Sequence, residues 1–277
     1  MLTTTVDGLW ALQVLSGIEA LAPELALRPI LPSVETKPLA LAHPVCAALH
    51  SAGVIDDAGV VDPTVVEWLT VIARRDIALL IQLRLLGENP PARVLLARFA
   101  RWWVVMERSD DLVRIGGAGT AAAEDTADTV IDTQLQRLCG RLPPAPLRPV
   151  IVDADALAAT VTSRESLRAF LTAQRLDGDQ LQLLMLASDP QRSAQAAIVA
   201  IQSGLETGRP TRAQVEHTVV TIMDTPAGRV VAEHVRSAGK NWMILAPGTS
   251  RHIGGAVNQL LRRLPANDKW FSYRKVV

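Results

Sequence analysis

A chain of 277 residues can bury a large core, as one domain or two fused halves. Its 49% hydrophobic and 20% charged content argues against a disordered segment. Basic and acidic residues balance at 28 each, so no net field favours nucleic acid or an anionic membrane.

No apolar run approaches the roughly 18 residues needed to span a bilayer. No lysine or arginine precedes Arg28, so the basic region of a signal peptide is missing. Cys46 and Cys139 are too few for a disulfide scaffold, and the compartment implied keeps both reduced. The expectation is a soluble cytoplasmic protein.

Residues 2–12, rich in threonine and valine, read as a strand, and the proline-punctuated 23–38 as irregular. Pro44 and Gly53 bound a short helix. Asp62 followed by Pro63 opens another to about residue 74, with Val65, Trp68, Leu69 and Ile72 on one face. A strand over 77–85 leads to a loop of Leu86, Gly87, Glu88, Asn89, Pro90 and Pro91.

Residues 94–115 are the longest strand-like stretch and read as the organising strand, returning after a turn at Ser109-Asp110-Asp111. Alternation sets Ala100, Trp102, Val104 and Met106 against Phe99, Trp103 and Val105. Arg98, Arg101, Glu107 and Arg108 fall towards the ends. Because both sides are apolar, both need cover, from this chain or from a partner. Residues 116–120 read as a glycine-rich turn into a helix over about 123–139, and four prolines in 142–149 mark a boundary.

The second half repeats this order. Residues 153–187 read as two or three helices broken at Thr162-Ser163 and Asp177-Gly178. Strands follow at 196–201, 215–223, 229–235 and 241–245, then a helix opening at Gly248-Thr249-Ser250 with Ser250 as its cap. The aromatic tail Trp270-Phe271-Ser272-Tyr273 is expected to pack down. Leu27-Arg28-Pro29 and Leu147-Arg148-Pro149 stand at matching places, and the closing helices end Arg137-Leu138 and Arg263-Leu264. The expectation is an α+β fold: one mainly antiparallel sheet flanked by helices, built as an internal duplication of halves 1–145 and 146–277 within a single domain.

No catalytic constellation emerges. Gly117-Ala118-Gly119-Thr120-Ala121-Ala122 fits a permissive dinucleotide fingerprint, but Glu124, Asp125 and Asp128 occupy the turn where a pyrophosphate needs positive potential. A nucleotide-binding protein or enzyme using this turn is the alternative. His43, Cys46 and His50 share a helix side without a fourth ligand, so capping or burial is the better reading. Ser250 and His252 lack a GxSxG context, Asp177 and Asp179 read as turn and cap residues, and Asp110-Asp111 reads as a turn. Neither a cofactor nor a metal is expected.

As a whole the chain resembles the EspG family, cytoplasmic chaperones of mycobacterial type VII (ESX) secretion, and within it the paralogue of the second ESX locus. The resemblance rests on LTTTVDGLWALQVLSG, ARFARWWVVMERSDDLVRI, LAPGTSRHIGGAVNQLLRRLP, WFSYRKVV and the repeated layout. It implies a quasi-two-fold α+β fold with a central antiparallel sheet and two helical bundles. It also implies a client, the tip of the PPE subunit in a PE–PPE heterodimer, kept soluble until export. The family's contact surface corresponds here to Leu86, Gly87, Glu88, Asn89, Pro90 and Pro91, nearby strand positions, and second-half helices. Nucleic acid and membrane insertion are not expected, and a homodimer is the other way of covering an apolar face.

Overall fold

The computed structural model describes residues 1–87, 91–204 and 213–274. The first half supplies β1 (Leu2–Thr5), β2 (Ile77–Arg84), β3 (Ala92–Phe99), β4 (Trp102–Ser109) and β5 (Leu112–Thr120). The second supplies β6 (Val150–Asp153), β7 (Ala194–Gln202), β8 (Gln214–Val215), β9 (Val220–Thr225), β10 (Gly228–Ser237) and β11 (Lys240–Pro247). They form one sheet in the order β1-β5-β4-β3-β2-β7-β9-β10-β11-β6, with β8 attached to β7. All strand pairings among the described residues are antiparallel.

Each half therefore runs as a four-stranded meander whose outer edge is closed by that half's own first strand. The halves meet at β2 and β7, where Ile77 pairs with Gln202 and Arg84 with Gln195. Two ion pairs repeat across the halves: Arg137 holds Glu107 at 2.6 Å and Arg263 holds Glu233 at 2.7 Å. Both members lie 126 positions on from their counterparts (107 to 233, 137 to 263). The strand order of the second half thus mirrors that of the first.

Helices cover both faces. The helices α1 (Val6–Ser16), α2 (Lys37–Leu41), α3 (Val45–Ser51) and α4 (Pro63–Arg74) form a bundle over Leu95, Ala97, Val104, Met106, Val113 and Ile115. On the opposite face α5 (Glu124–Cys139) packs over β4 and β5. A second bundle of α6 (Ala154–Thr160), α7 (Arg164–Ala173) and α8 (Gly178–Ala187) covers Met223, Val230, Ala232 and Leu245, on the same face as the first. The closing helix α9 (Ser250–Arg262) lies beside α5, over Ile198, Val220, Ile222 and Val231. Local chemistry sets many boundaries. The Asp62 carboxylate accepts from the Thr64 and Val65 N–H groups, and Ser163 and Asp177 cap α7 and α8 in the same way.

Several expectations are corrected. Residues 2–12 are only briefly a strand, because Thr5 caps α1 through the Gly8 N–H at 3.1 Å. The 94–115 stretch is interrupted at Ala100 and Arg101, with Ala100 left-handed at φ 54°. The interruption moves Phe99 to the Val104 and Met106 side. The organising seam is β2–β7, one strand further in. Residues 116–120 are not a turn but the end of β5, paired as Val104 with Gly117 and Trp103 with Gly119 across a bulge. The stretch 215–223 splits into β8 and β9, and Thr249, not Ser250, caps α9.

Arg98 does fall at the end of its strand, one residue before the end of β3, yet it is fully buried. Its guanidinium donates to the carbonyls of Trp270 (3.1 Å), Phe271 (2.6 Å) and Tyr273 (2.8 Å) and lies 3.8 Å from Asp76. The Trp270 and Phe271 rings flank it at 5.8 and 5.6 Å. Burial lowers its pKa to about 10, against the pull of Asp76, so it stays protonated at neutral pH. The tail packs down as expected, with Trp270 fully buried.

Two outcomes test this arrangement. Arg98→Ala should lower unfolding free energy in urea by about 3–5 kcal/mol, since it removes the cation facing a buried carboxylate and takes the donor from three carbonyls. Trp103→Asp, at a site 1% exposed, should abolish folding, whereas Trp102→Asp, at 47%, should cost about 1 kcal/mol or less in the same measurement.

Candidate docking surface

The two bundles share a face of the sheet without meeting over its middle. Outward positions of β2 and β7 form three cross-strand pairs there: Leu80 with Val199, Gln82 with Ala197 and Arg84 with Gln195. Gln82 is exposed and the other five are half-buried, while Leu79, Ile81, Leu83, Ala196, Ile198 and Ala200 on the opposite face are buried. The part of the face that the bundles leave uncovered is thus this strip, apolar at Leu80, Ala197 and Val199 and polar at Gln82, Arg84 and Gln195.

One end of the strip carries the loop after β2. Leu86 is 54% exposed and Gly87 is left-handed at φ 79°. Pro91 lies half-buried beside Leu25, Ala26, Arg93 and Arg108. Glu88, Asn89 and Pro90 fall outside the described residues. Because Arg84 pairs with Gln195, this loop shares its end of the sheet with the turn that joins α8 to β7. That turn is tied down by Ser193, whose hydroxyl donates to the Ala187 carbonyl at 2.9 Å, and by the Arg164–Asp189 ion pair at 3.3 Å. Between α7 and α8 lies a groove of about 590 Å3, lined by Leu181, Met185 and Leu186 with Arg164, Arg168 and Arg192 around it. Glu165 is its one lining carboxylate, so the groove is apolar at its base and positive at its rim.

The other sequence candidates disperse. Gly117, Gly119 and Thr120 belong to a strand, so no phosphate-cradling turn exists there. His43 packs edge-on against Trp10 at 5.5 Å, and His50 pairs with Asp57 at 2.7 Å. Among the described residues, no three His, Cys, Asp or Glu side chains gather as a metal site. His252 turns its Nδ1 to the Pro247 carbonyl at 2.8 Å, away from Ser250. Asp177 caps α8 and pairs with Arg148. Both thiols are free, and burial raises their pKa values, that of Cys139 to about 11.

The strip escaped sequence reasoning because it arises from pairing between residues 77–84 and 195–202, which no local pattern signals. Its alternation was visible only as Leu80-Gln82 against Ala197-Val199.

The sequence matches the EspG family over residues 5–259. The chain belongs to the EspG family. It is 50% identical over 277 residues, the full length of both chains, to the ESX-2 secretion-associated protein EspG2 of Mycobacterium tuberculosis. It is 27% identical over 303 residues to the ESX-5 secretion-associated protein EspG5 of Mycobacterium marinum, covering 99% of this chain and 97% of that one. The fold of this EspG chain matches that of the M. tuberculosis type VII secretion system chaperone EspG5, solved in complex with a PE25–PPE41 dimer. The TM-score is 0.72 at 21% identity, over 96% of this chain and 97% of the other. The α+β architecture and the second-ESX-locus resemblance are both upheld. No helix among the described residues is long and apolar enough to cross a membrane.

A chemical consequence can be checked directly. With its pKa near 11 instead of 9, native Cys139 should react with iodoacetamide at pH 7.5 about a hundredfold more slowly than in the urea-unfolded chain. Equal rates would reveal an accessible, activated thiol.

Proposed function

We propose that this EspG chain is a cytoplasmic secretion chaperone that binds the PPE subunit of a PE–PPE heterodimer by its tip and keeps the pair soluble for ESX export. It acts by binding and not by catalysis. The single observation that carries the reading is the uncovered strip of β2 and β7, set between two bundles in a member of a secretion-associated family. A strip that is apolar at Leu80, Ala197 and Val199 and polar at Gln82, Arg84 and Gln195 suits an amphipathic helical tip, whose exposed apolar side chains would otherwise drive aggregation. The 86–91 loop and the arginine-rimmed α7–α8 groove supply a polar margin at one end. Kinship with EspG2 and the EspG5 complex with PE25–PPE41 support the client class.

Co-expression pull-down against a panel of PE–PPE pairs, with other ESX chaperones as controls, tests this. We expect capture of a restricted set of pairs. Gln82→Arg, Leu86→Asp and the double change Glu88→Arg/Asn89→Ala should each leave the melting temperature nearly unchanged and weaken capture about tenfold or more, roughly 1.4 kcal/mol. Capture undiminished by all three would move the docking surface elsewhere. Capture of no pair would overturn the reading itself.

A further inference from the structure

The strip between the bundles differs in chemistry from one end to the other. Residues paired across neighbouring strands share a face of the sheet. Beside the 86–91 loop that face carries Arg84 of β2 and, paired with Gln82, Arg93 of β3. Neither guanidinium has a carboxylate partner among the described residues. Arg108 pairs with Arg93 and is held by the carbonyls of Leu25, Ala26 and Asp110, which leave its charge in place. Across the seam Arg192, just before β7, lines the α7–α8 groove with Arg168. Asp189 is taken up by Arg164, and the carboxylates of Asp110 and Glu165 are too few to balance the rest.

The opposite end is apolar. Leu80 lies across from Val199, and one step further along the same face Ile201 pairs with Val215 of β8. Val215 is 46% exposed, so the apolar surface continues past the edge of β7. Positive charge and apolar surface thus stand at opposite ends of one strip.

The bundles on either side confine an occupant to the direction of the strands. Leu80 and Arg84 are about 13 Å apart at a strand's rise of roughly 3.3 Å per residue. A helix laid along the strands, rising about 1.5 Å per residue, covers that distance in about nine residues. An acidic side chain at the arginine end gains attraction and steers the encounter. Laid the other way, the same helix would press its carboxylate against Leu80 and Val199, where a charge has no partner.

We propose that this polarity fixes the direction in which a client docks. The helical tip sets its apolar side chains at Leu80, Val199 and Val215, and an acidic residue about nine positions away meets Arg84 and Arg93. This inference rests on reading the strip as the client surface, and adds to it which client residues are selected and which way they run.

The test is a charge exchange, measured as the Kd for the PE–PPE pair recovered in the pull-down. Arg84→Glu and Arg93→Glu should each weaken binding about tenfold. Arg251→Glu, the same change of charge at an exposed position of α9 on the other face, should leave it unchanged. Each acidic residue of the PPE tip is then changed in turn to arginine. One such change should weaken binding to the unaltered chain and restore binding to Arg84→Glu or Arg93→Glu to within about threefold. Should the half-buried Arg84→Glu fail to fold, the exposed Arg93→Glu decides. A pair bound equally well by both variants, weakened as much by Arg251→Glu, or rescued by no change in its tip, overturns the inference and leaves the chaperone reading standing. Recovery of no pair at all overturns both.

Discussion

The buried guanidinium of Arg98 can exist where it does only because residues far along the chain come back to meet it. A desolvated cation costs several kcal/mol unless its donors find partners, and this one finds the carbonyls of Trp270, Phe271 and Tyr273. Asp76 completes the arrangement, accepting from the Ala100 N–H and bridging the starts and ends of β2 and β3. A reciprocal grip operates from the second half. Arg229, buried and held by Asp224 at 2.6 and 2.7 Å, donates to the carbonyls of Cys139 and Gly140 at the end of α5. There it satisfies carbonyls that a helix terminus leaves open. Each half therefore anchors the closing element of the other.

This crosswise anchoring sets where the β2–β7 strip lies. With α5 and α9 fixed together on one face, each half's remaining helices must bury their apolar stripes on the other face, over their own strands. Two bundles centred on separate halves leave the seam between them uncovered. The seam is bonded along both strands, so its outward side chains are held by a rigid backbone. A partner meeting it loses little freedom to ordering on this side.

How much could be read in the sequence follows from the range of each interaction. Helix starts were legible where a cap is written locally, as at Asp62-Pro63, Ser163 and Asp177, and the hairpin at Asp110 announced itself through turn residues. The break at Ala100-Arg101 was not, because a left-handed alanine carries no glycine or asparagine signal; it is imposed by Asp76. The glycine run at 116–119 looked like a turn, since glycine usually weakens a strand. Here it makes room against Trp68 and Val130 instead. The burial of Arg98 went unseen for the same reason as the β2–β7 strip. Both depend on partners more than a hundred residues away.

The same long reach bears on how the molecule comes into being. The carbonyls that satisfy Arg98 lie 172 to 175 residues downstream of it. On a ribosome the first five strands emerge long before their guanidinium has anything to hold, and before β7 arrives to pair with the edge of β2. A nascent first half must therefore wait, partly collapsed and with apolar surface showing, until translation is nearly finished. The chain thus passes through an exposed stage of its own, which ends when the last aromatic residues fold in.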